Sequence, residues 1–349
     1  MKNKLLTFAV PTYNMEKYLA CCLDSIVCDN MDYLEVLVVN DGSKDRSSEI
    51  GHQYETKYPN VIRVIDKENG NYGSCVNCAL AEAQGKYFRM LDADDWCDTD
   101  ALNQWIENLK TCDADMVLTI SEDRGEKGEL IRRLEAPDSV VANKVYAIDQ
   151  FDGVELEYNS LYCSHIVTYK TKILQSMNLQ LQVGISYTDN EYVFYPLDKV
   201  ESVVYYALPI YQYFVGREGQ TTDPKVMNNS LIPLMQVFDG LWQYYILHRD
   251  MEKQAVVNNQ RIMLLEMTMW IYRACFCSGN YPALKIMEER LKNETYINEQ
   301  VHKRPLVRYG IDILDYYHQT GRFVNHPITK LKLTYHRVLR FVSRMIKNS

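Results

Sequence analysis

The chain has 349 residues, 47% apolar and 24% charged, with a net charge of −8. Those proportions belong to a globular protein, and the length favours two domains or one large domain with additions. Six basic residues and no acid in 330–349 leave the first 329 residues at −14, a main body too acidic for a generic nucleic-acid binder. Ten cysteines do not read as a disulfide framework, because Cys21, Cys22, Cys75, Cys78 and Cys112 fall inside expected helices or strands of a chain too large to need staples. Cys75-Val76-Asn77-Cys78 has redox or metal spacing, but it stands alone in an amphipathic helix and reads as core; Cys275-Phe276-Cys277 is similarly isolated. The apolar run after Lys2-Asn3-Lys4 is too short for a signal peptide, and no run of about eighteen apolar residues follows. The expected setting is a reducing cytoplasm.

Through the first 120 residues strand and helix patterns alternate. Strands are expected at 5–10, 34–39, 61–66, 87–91 and 115–119, and helices at 15–27, 45–57, 74–83 and 99–109. Strands this short and this apolar are buried on both faces, and the β-α-β order implies a doubly wound, mostly parallel sheet with right-handed crossovers. From 121 to 160 the pattern weakens, with Gly125 and Gly128 among charges, so a loop and short peripheral strands are expected. A helix follows at 189–197 and strands at 202–207 and 210–214. Beyond Gln220 come long helical stretches at 231–247, 258–275, 281–293 and 305–317, rich in Met and aromatic residues as helix cores are. The boundary is placed near residue 222, giving an α/β domain at 1–222 and an α-helical region at 223–349.

Each strand end in the first half carries a polar cluster. They are Pro11-Thr12-Tyr13-Asn14, Asn40-Asp41-Gly42-Ser43-Lys44-Asp45, Asn69-Gly70-Asn71-Tyr72-Gly73, and Asp92-Ala93-Asp94-Asp95. Taken singly, each is explained by turns and helix caps, and Asp94 or Asp95 is a suitable cap for the helix at 99–109. Together they line one crevice at the carboxyl edge of the sheet, where open α/β sheets bind ligands. Three carboxylates in four positions repel one another, and a divalent cation bridging phosphates would offset them. The set suits a nucleotide and a cation.

These four motifs, in order and spacing, resemble the family 2 glycosyltransferases of GT-A fold, over roughly residues 4–222. The resemblance implies that Pro11, Thr12, Tyr13 and Asp41 hold the base, that Asn69 and Gly70 support the nucleotide, that Asp92 and Ala93 approach the ribose, and that Asp94 with Asp92 binds Mg²⁺ or Mn²⁺. It implies a carboxylate base at a helix start about a hundred residues after the acid triplet. Tyr187-Thr188-Asp189-Asn190-Glu191 stands there, with Thr188 in place of the usual Glu; Asp189 is the expected base and Glu191 the alternative. Tyr211-Gln212-Tyr213 and Gly216-Arg217-Glu218-Gly219-Gln220-Thr221 resemble the closing segment over the diphosphate, with Arg217 as its guanidinium. Many relatives supply a metal-binding His near this point and none stands here. His165 either faces the acceptor or is a core residue.

In the tail, Leu331, Tyr335, Val338, Leu339, Val342, Met345 and Ile346 fall at helical spacing opposite the basic residues. Such a 330–347 helix can lie on an anionic membrane surface, or pack its stripe on the preceding helices. The resemblance as a whole implies an inverting transferase that moves a sugar from a nucleotide diphosphate sugar, a UDP-sugar by expectation, to a glycan or lipid-linked acceptor in envelope or exopolysaccharide synthesis. Without the Gln-x-x-Arg-Trp signature of processive synthases, it should add one or few sugars per encounter. The alternatives are a nucleotidyltransferase, which would want a basic Gly-rich loop after the first strand, and a non-catalytic nucleotide-sugar-binding partner. A homo-oligomer stays open, since the Met- and aromatic-rich helices can form a dimer or bury themselves.

Overall fold

Apolar runs from the first half of the chain assemble into an eight-stranded mixed sheet. The structure is a computed structural model that describes residues 3–156, 163–217, 220, 226, 229–304, 306–308 and 311–320. Strands β1 (Leu6–Thr12), β2 (Leu34–Asn40), β3 (Ile62–Asp66) and β4 (Tyr87–Met90) run parallel in the order β3-β2-β1-β4. The sheet continues through β10 (Val167–Lys170), β6 (Met116–Leu118), β11 (Ser202–Tyr205) and β9 (Val145–Ala147). The register Thr12↔Asn40 and Asn40↔Asp66 brings the first three polar strand ends level, so their following loops share one edge.

Helices α1 (Leu19–Asp24), α2 (Ser47–Lys57), α3 (Asn71–Glu82) and α4 (Thr99–Leu109) follow the first four long strands. Phe8, Val10, Val36, Leu102, Trp105 and Ile106 are buried to within 1% exposure, and burial of each aliphatic or Phe side chain contributes roughly 1.5–3 kcal/mol. α1 is much shorter than the expected 15–27 helix. Its first turns are instead taken up by the loop, where Met15 N–H donates to Ser47 Oγ (2.7 Å) and Glu16 N–H to Asp45 Oδ2 (3.0 Å). At α4 the cap is Asp98, whose Oδ1 accepts from Ala101 N–H at 2.9 Å, so neither Asp94 nor Asp95 is spent on that helix.

A central strand of the large sheet was not expected from the sequence. β10 lies antiparallel between β4 and β6, so the strands at 87–91 and 115–119 are not neighbours. Its four residues are too few to show periodicity. The insertion is held by Arg89, fully buried on β4, which donates to Thr119 Oγ1 (2.8 Å), to Thr168 Oγ1 (3.4 Å) and to the His165 carbonyl, with its guanidinium 5.1 Å from the Trp105 ring. A second sheet pairs β5 (Trp96–Cys97), β12 (Tyr211–Phe214), β7 (Ser121–Arg124) and β8 (Leu130–Leu134) in the order β5-β12-β7-β8. This sheet ties the acid-bearing loop after β4 to the segment that leads to Arg217. α5 (Thr171–Ser176) and α6 (Asp189–Phe194) complete the α/β part, α6 passing into a 3₁₀ turn over Tyr195–Lys199 that contains Pro196.

The chain divides into two compact units, one ending at Leu264 and the other beginning at Leu265, inside the helix Gln254–Ser278. The first unit includes the helix Leu231–His248. The second holds the helices Tyr281–Leu291, Thr295–Lys303 and Ile313–Thr320 and a two-stranded pair, Val307–Arg308 with Ile311–Asp312. The expected single helix at 305–317 is thus replaced by a strand pair and a shorter helix. Pro305 disfavours the helical conformation in the residue before it, and Arg304 is extended at φ −96° and ψ 108°. Among the described residues no helix is long and apolar enough to cross a membrane, and all ten cysteines are free thiols. The basic segment at 330–347 lies outside the described residues.

Candidate active site

The ends of β1, β2 and β3 border a cavity of about 600 Å³ lined by Tyr13, Asn40, Gly42, Lys44, Asp66, Lys67, Glu68 and Asn69. Tyr13 offers its ring from the rim at 46% exposure, while Thr12 is buried with its hydroxyl donating to the Val10 carbonyl. Asp41 is 3% exposed and shapes the cavity from behind. Its Oδ1 accepts from Lys67 Nζ (2.7 Å) and Gly70 N–H (2.9 Å), its Oδ2 from Asn71 N–H (2.9 Å), and its carbonyl from Asn69 Nδ2 (3.0 Å). One carboxylate thereby folds the Asn69-Gly70-Asn71 turn over the β2 end and satisfies the first N–H groups of α3. Gly42 sits at φ +70°, and a Cβ there would come 3.2 Å from Asn69 N.

The acid triplet lies at the end of β4, on the strand beside β1. Asp92 Oδ1 accepts from Tyr72 Oη at 2.8 Å, and Asp92 N–H donates to Tyr211 Oη at 3.2 Å. Asp95, 1% exposed, accepts from Tyr211 Oη (2.6 Å) and Phe214 N–H (2.8 Å). Asp94 Oδ2 accepts from Arg217 Nε at 2.6 Å. Burial, and then the charge of Asp94, push the Asp92 and Asp95 carboxyls well above the usual carboxylate range; Tyr72 and Tyr211 hydrogen bonds pull the other way.

His165, just before β10, closes this cluster. Its ring stacks on Tyr211 (centroids 4.4 Å apart, planes at 5°) and on Tyr213 (4.8 Å), and its Nε2 lies 3.8 Å from Asp92 Oδ2. Burial, with Arg89 and Arg132 nearby, lowers it to about 3, so the imidazole is neutral at physiological pH, the form that ligates metals. Ligand atoms of Asp92, Asp95 and His165 lie within 4.8 Å of one another. Surplus carboxylate and a neutral imidazole fit Mg²⁺ or Mn²⁺.

Asp189 opens α6 in its first turn, with Thr188 at the cap position. The carboxyl is half-buried, and desolvation raises it to about 6 against backbone N–H groups that favour the charged form. Its charge reaches both Asp92 and Tyr72, raising each. Glu191, two residues on, is 1% exposed, with Oε2 accepting from Gln182 N–H (2.8 Å) and Oε1 from Gln182 Nε2 (2.7 Å). From the other side, Asn77 on α3 exchanges two 2.8 Å hydrogen bonds with Leu181, and a Cβ on Gly73 would strike the Gln182 carbonyl at 2.2 Å. The helix behind the Asn69-Gly70 turn and the helix carrying Asp189 are therefore clamped to the same 181–182 segment. Tyr187 at φ +69° gives the chain its turn into α6.

The structure brings Asp92, Asp94, Asp189 and Arg217 to one end of the sheet beside the cavity of Tyr13 and Asn69. Sequence reasoning named Tyr72 and Tyr211 but missed their roles as partners of Asp92 and Asp95. Tyr72 was visible only as part of a turn, and Tyr211 acts across 116 positions on Asp95. His165 was seen, but nothing in the sequence set it beside Asp92.

Residues 7–176 match the model of Glycosyl transferase family 2. These residues belong to glycosyltransferase family 2. The chain is 24% identical to the glycosyltransferase GlyA of Streptococcus pneumoniae over 358 residues, covering 96% of this chain and 47% of that protein. It thus spans about half the length of that curated relative, and 30% of another. Among solved structures it is similar to Staphylococcus aureus TarS 1–349 in complex with UDP-GlcNAc, with a TM-score of 0.60 at 17% identity over 95% of this chain and 92% of that one. It also resembles the mannosyltransferase PcManGT of Pyrobaculum calidifontis in complex with GDP-Man and Mn²⁺, with a TM-score of 0.51 at 16% identity over 86% and 84%. These likenesses establish the GT-A fold.

Proposed function

We propose that this family 2 chain is an inverting glycosyltransferase that moves a sugar from a nucleotide diphosphate sugar, a UDP-sugar first, to a glycan or lipid-linked acceptor in cell-envelope polysaccharide synthesis. The observation that carries the reading is Asp189, half-buried and raised to about 6 within electrostatic reach of the Asp92–Asp95 cluster. A base poised near the working pH beside a cation-seeking acid cluster is what displacement at an anomeric carbon requires. The acceptor hydroxyl gives its proton to Asp189 as its oxygen bonds to the anomeric carbon, the bond to the diphosphate breaks on the opposite face, and the configuration inverts. Glu191, with both oxygens on Gln182, is better suited to holding α6 in place.

Tyr13, Asp41, Asn69 and Gly70 would form the nucleoside cradle, with Pro11 and Thr12 behind it and Asp92 and Ala93 at the ribose. Asp92 and Asp94 would hold Mg²⁺ or Mn²⁺, with His165 as the neutral ligand beside Asp92. The ion supplies Lewis-acid stabilisation of the departing diphosphate, and Arg217 adds a permanent charge on the same oxygens. The UDP-GlcNAc bound by TarS and the GDP-Man bound by PcManGT support testing both uracil and guanine donors. The basic 330–347 segment is proposed as the contact with an anionic membrane surface.

The test is nucleoside diphosphate release from UDP-glucose, UDP-galactose, UDP-GlcNAc and GDP-mannose, with Mn²⁺ and with EDTA. Metal-dependent release from at least one donor is expected. No release from any donor, together with metal-independent nucleotide binding, would leave the chain a non-catalytic binding partner.

A further inference from the structure

Arg217 Nε donates to Asp94 Oδ2 at 2.6 Å, with the two side chains 21% and 11% exposed. The guanidinium also lies 5.9 Å from the Tyr18 ring. In the proposed function these are the diphosphate's guanidinium and the ion's main carboxylate, and in the chain alone they are joined to each other. A divalent ion and a guanidinium cannot share one carboxylate oxygen without strong like-charge repulsion, and water screens little at this burial.

We propose that Arg217 is the resident counter-ion of the metal position, so that the protein takes its donor as a metal–diphosphate complex and binds the free ion poorly. The inference rests on the assignment of Asp92 and Asp94 to the ion. An ion arriving alone at that oxygen must expel the guanidinium from it, and at the other oxygen it meets the guanidinium's charge close by. An ion arriving with a diphosphate supplies the replacement, because phosphate oxygens accept guanidinium N–H groups as the carboxylate does, and can take them two at a time. The exchange keeps the charge of the site nearly constant: two carboxylates and one guanidinium before, with a divalent ion and a doubly charged diphosphate added after. Metal and nucleotide are therefore coupled through one side chain, and each must tighten the other by the same factor.

The experiment follows Mn²⁺ binding without nucleotide by electron paramagnetic resonance, and UDP and GDP binding by calorimetry in Mn²⁺ and in EDTA. It uses the full chain as wild type, R217Q and R217K. In the wild type, Mn²⁺ should tighten the preferred nucleotide by about 5–150-fold. R217Q should bind Mn²⁺ alone more tightly than wild type while that coupling factor shrinks. R217K keeps a competing charge without the fork, so its affinity for Mn²⁺ alone should stay near wild type while nucleotide affinity falls. Metal-dependent nucleotide binding in the wild type, with unchanged or weaker Mn²⁺ binding in R217Q, would overturn the counter-ion role alone. Equal nucleotide affinity in Mn²⁺ and in EDTA would overturn the metal assignment and this proposal with it.

Discussion

The cavity at the ends of β1, β2 and β3 and the acid cluster at the end of β4 sit on neighbouring strands, yet their polar groups are balanced differently. Around the cavity Asp41 meets Lys67, two backbone N–H groups and an asparagine amide, so donors match acceptors within the chain. At the cluster three carboxylates share two tyrosine hydroxyls, one backbone N–H and one guanidinium, and Asp92 and Asp95 are pushed up by burial and then by the charge of Asp94. The first arrangement is complete without a ligand and presents a preformed shape. The second holds excess negative charge that an added cation would relieve. Under the proposed function, recognition and chemistry would be separated across one strand spacing.

The sharpest way to break this division is Asp189→Asn. Loss of the base should lower kcat by about 10²–10⁴-fold while nucleotide binding stays near wild type, since the cavity is untouched. Full activity in that variant would move the base to Glu191 or elsewhere. Next in size is pH. Protonated Asp189 cannot accept the acceptor's proton, so kcat/KM should fall about tenfold per unit as pH drops below about 6, and level off above it. Folding should respond in the opposite sense. The folded carboxyl is raised from an ordinary value of 3.8, so its ionisation opposes the fold and its contribution to stability declines as pH rises between about 4 and 6. A pH–rate profile flat to pH 5 would contradict the assignment.

Smaller effects separate the scaffolding from the site. Asn77→Ala removes both hydrogen bonds to Leu181 and should lower unfolding stability by about 1–3 kcal/mol, with kcat falling more than nucleotide affinity because α6 loses its register. Asp98→Ala should cost about 0.5–2 kcal/mol in chemical denaturation and leave nucleotide binding unchanged. An Asp98 variant with impaired nucleotide binding would blur the line drawn here between the capping acid and the acid cluster.

The same contrast governs what could be read from the chain alone. β1 to β4 and their polar ends were legible because each strand is a continuous apolar run that stops at turn chemistry, and burial on both faces enforces that pattern. The role of Asp98 was hidden among four acids within seven residues, where spacing cannot say which one meets Ala101 N–H. β10, Tyr211 and His165 were not legible in their roles. Their partners lie on strands brought together by an antiparallel insertion, and the ring stack that sets His165 beside Asp92 depends on two sheets meeting. The helix expected at 305–317 failed where Pro305 forces Arg304 into an extended conformation.

Whether Asp92 and its neighbours form a metal–diphosphate site is decided by nucleotide titration in Mn²⁺ against EDTA, in the wild type and in Asp92→Asn. Affinity about 5–150-fold higher in Mn²⁺ is expected for the wild type, with little metal dependence in the variant. The same affinity in both buffers for the wild-type chain would contradict it.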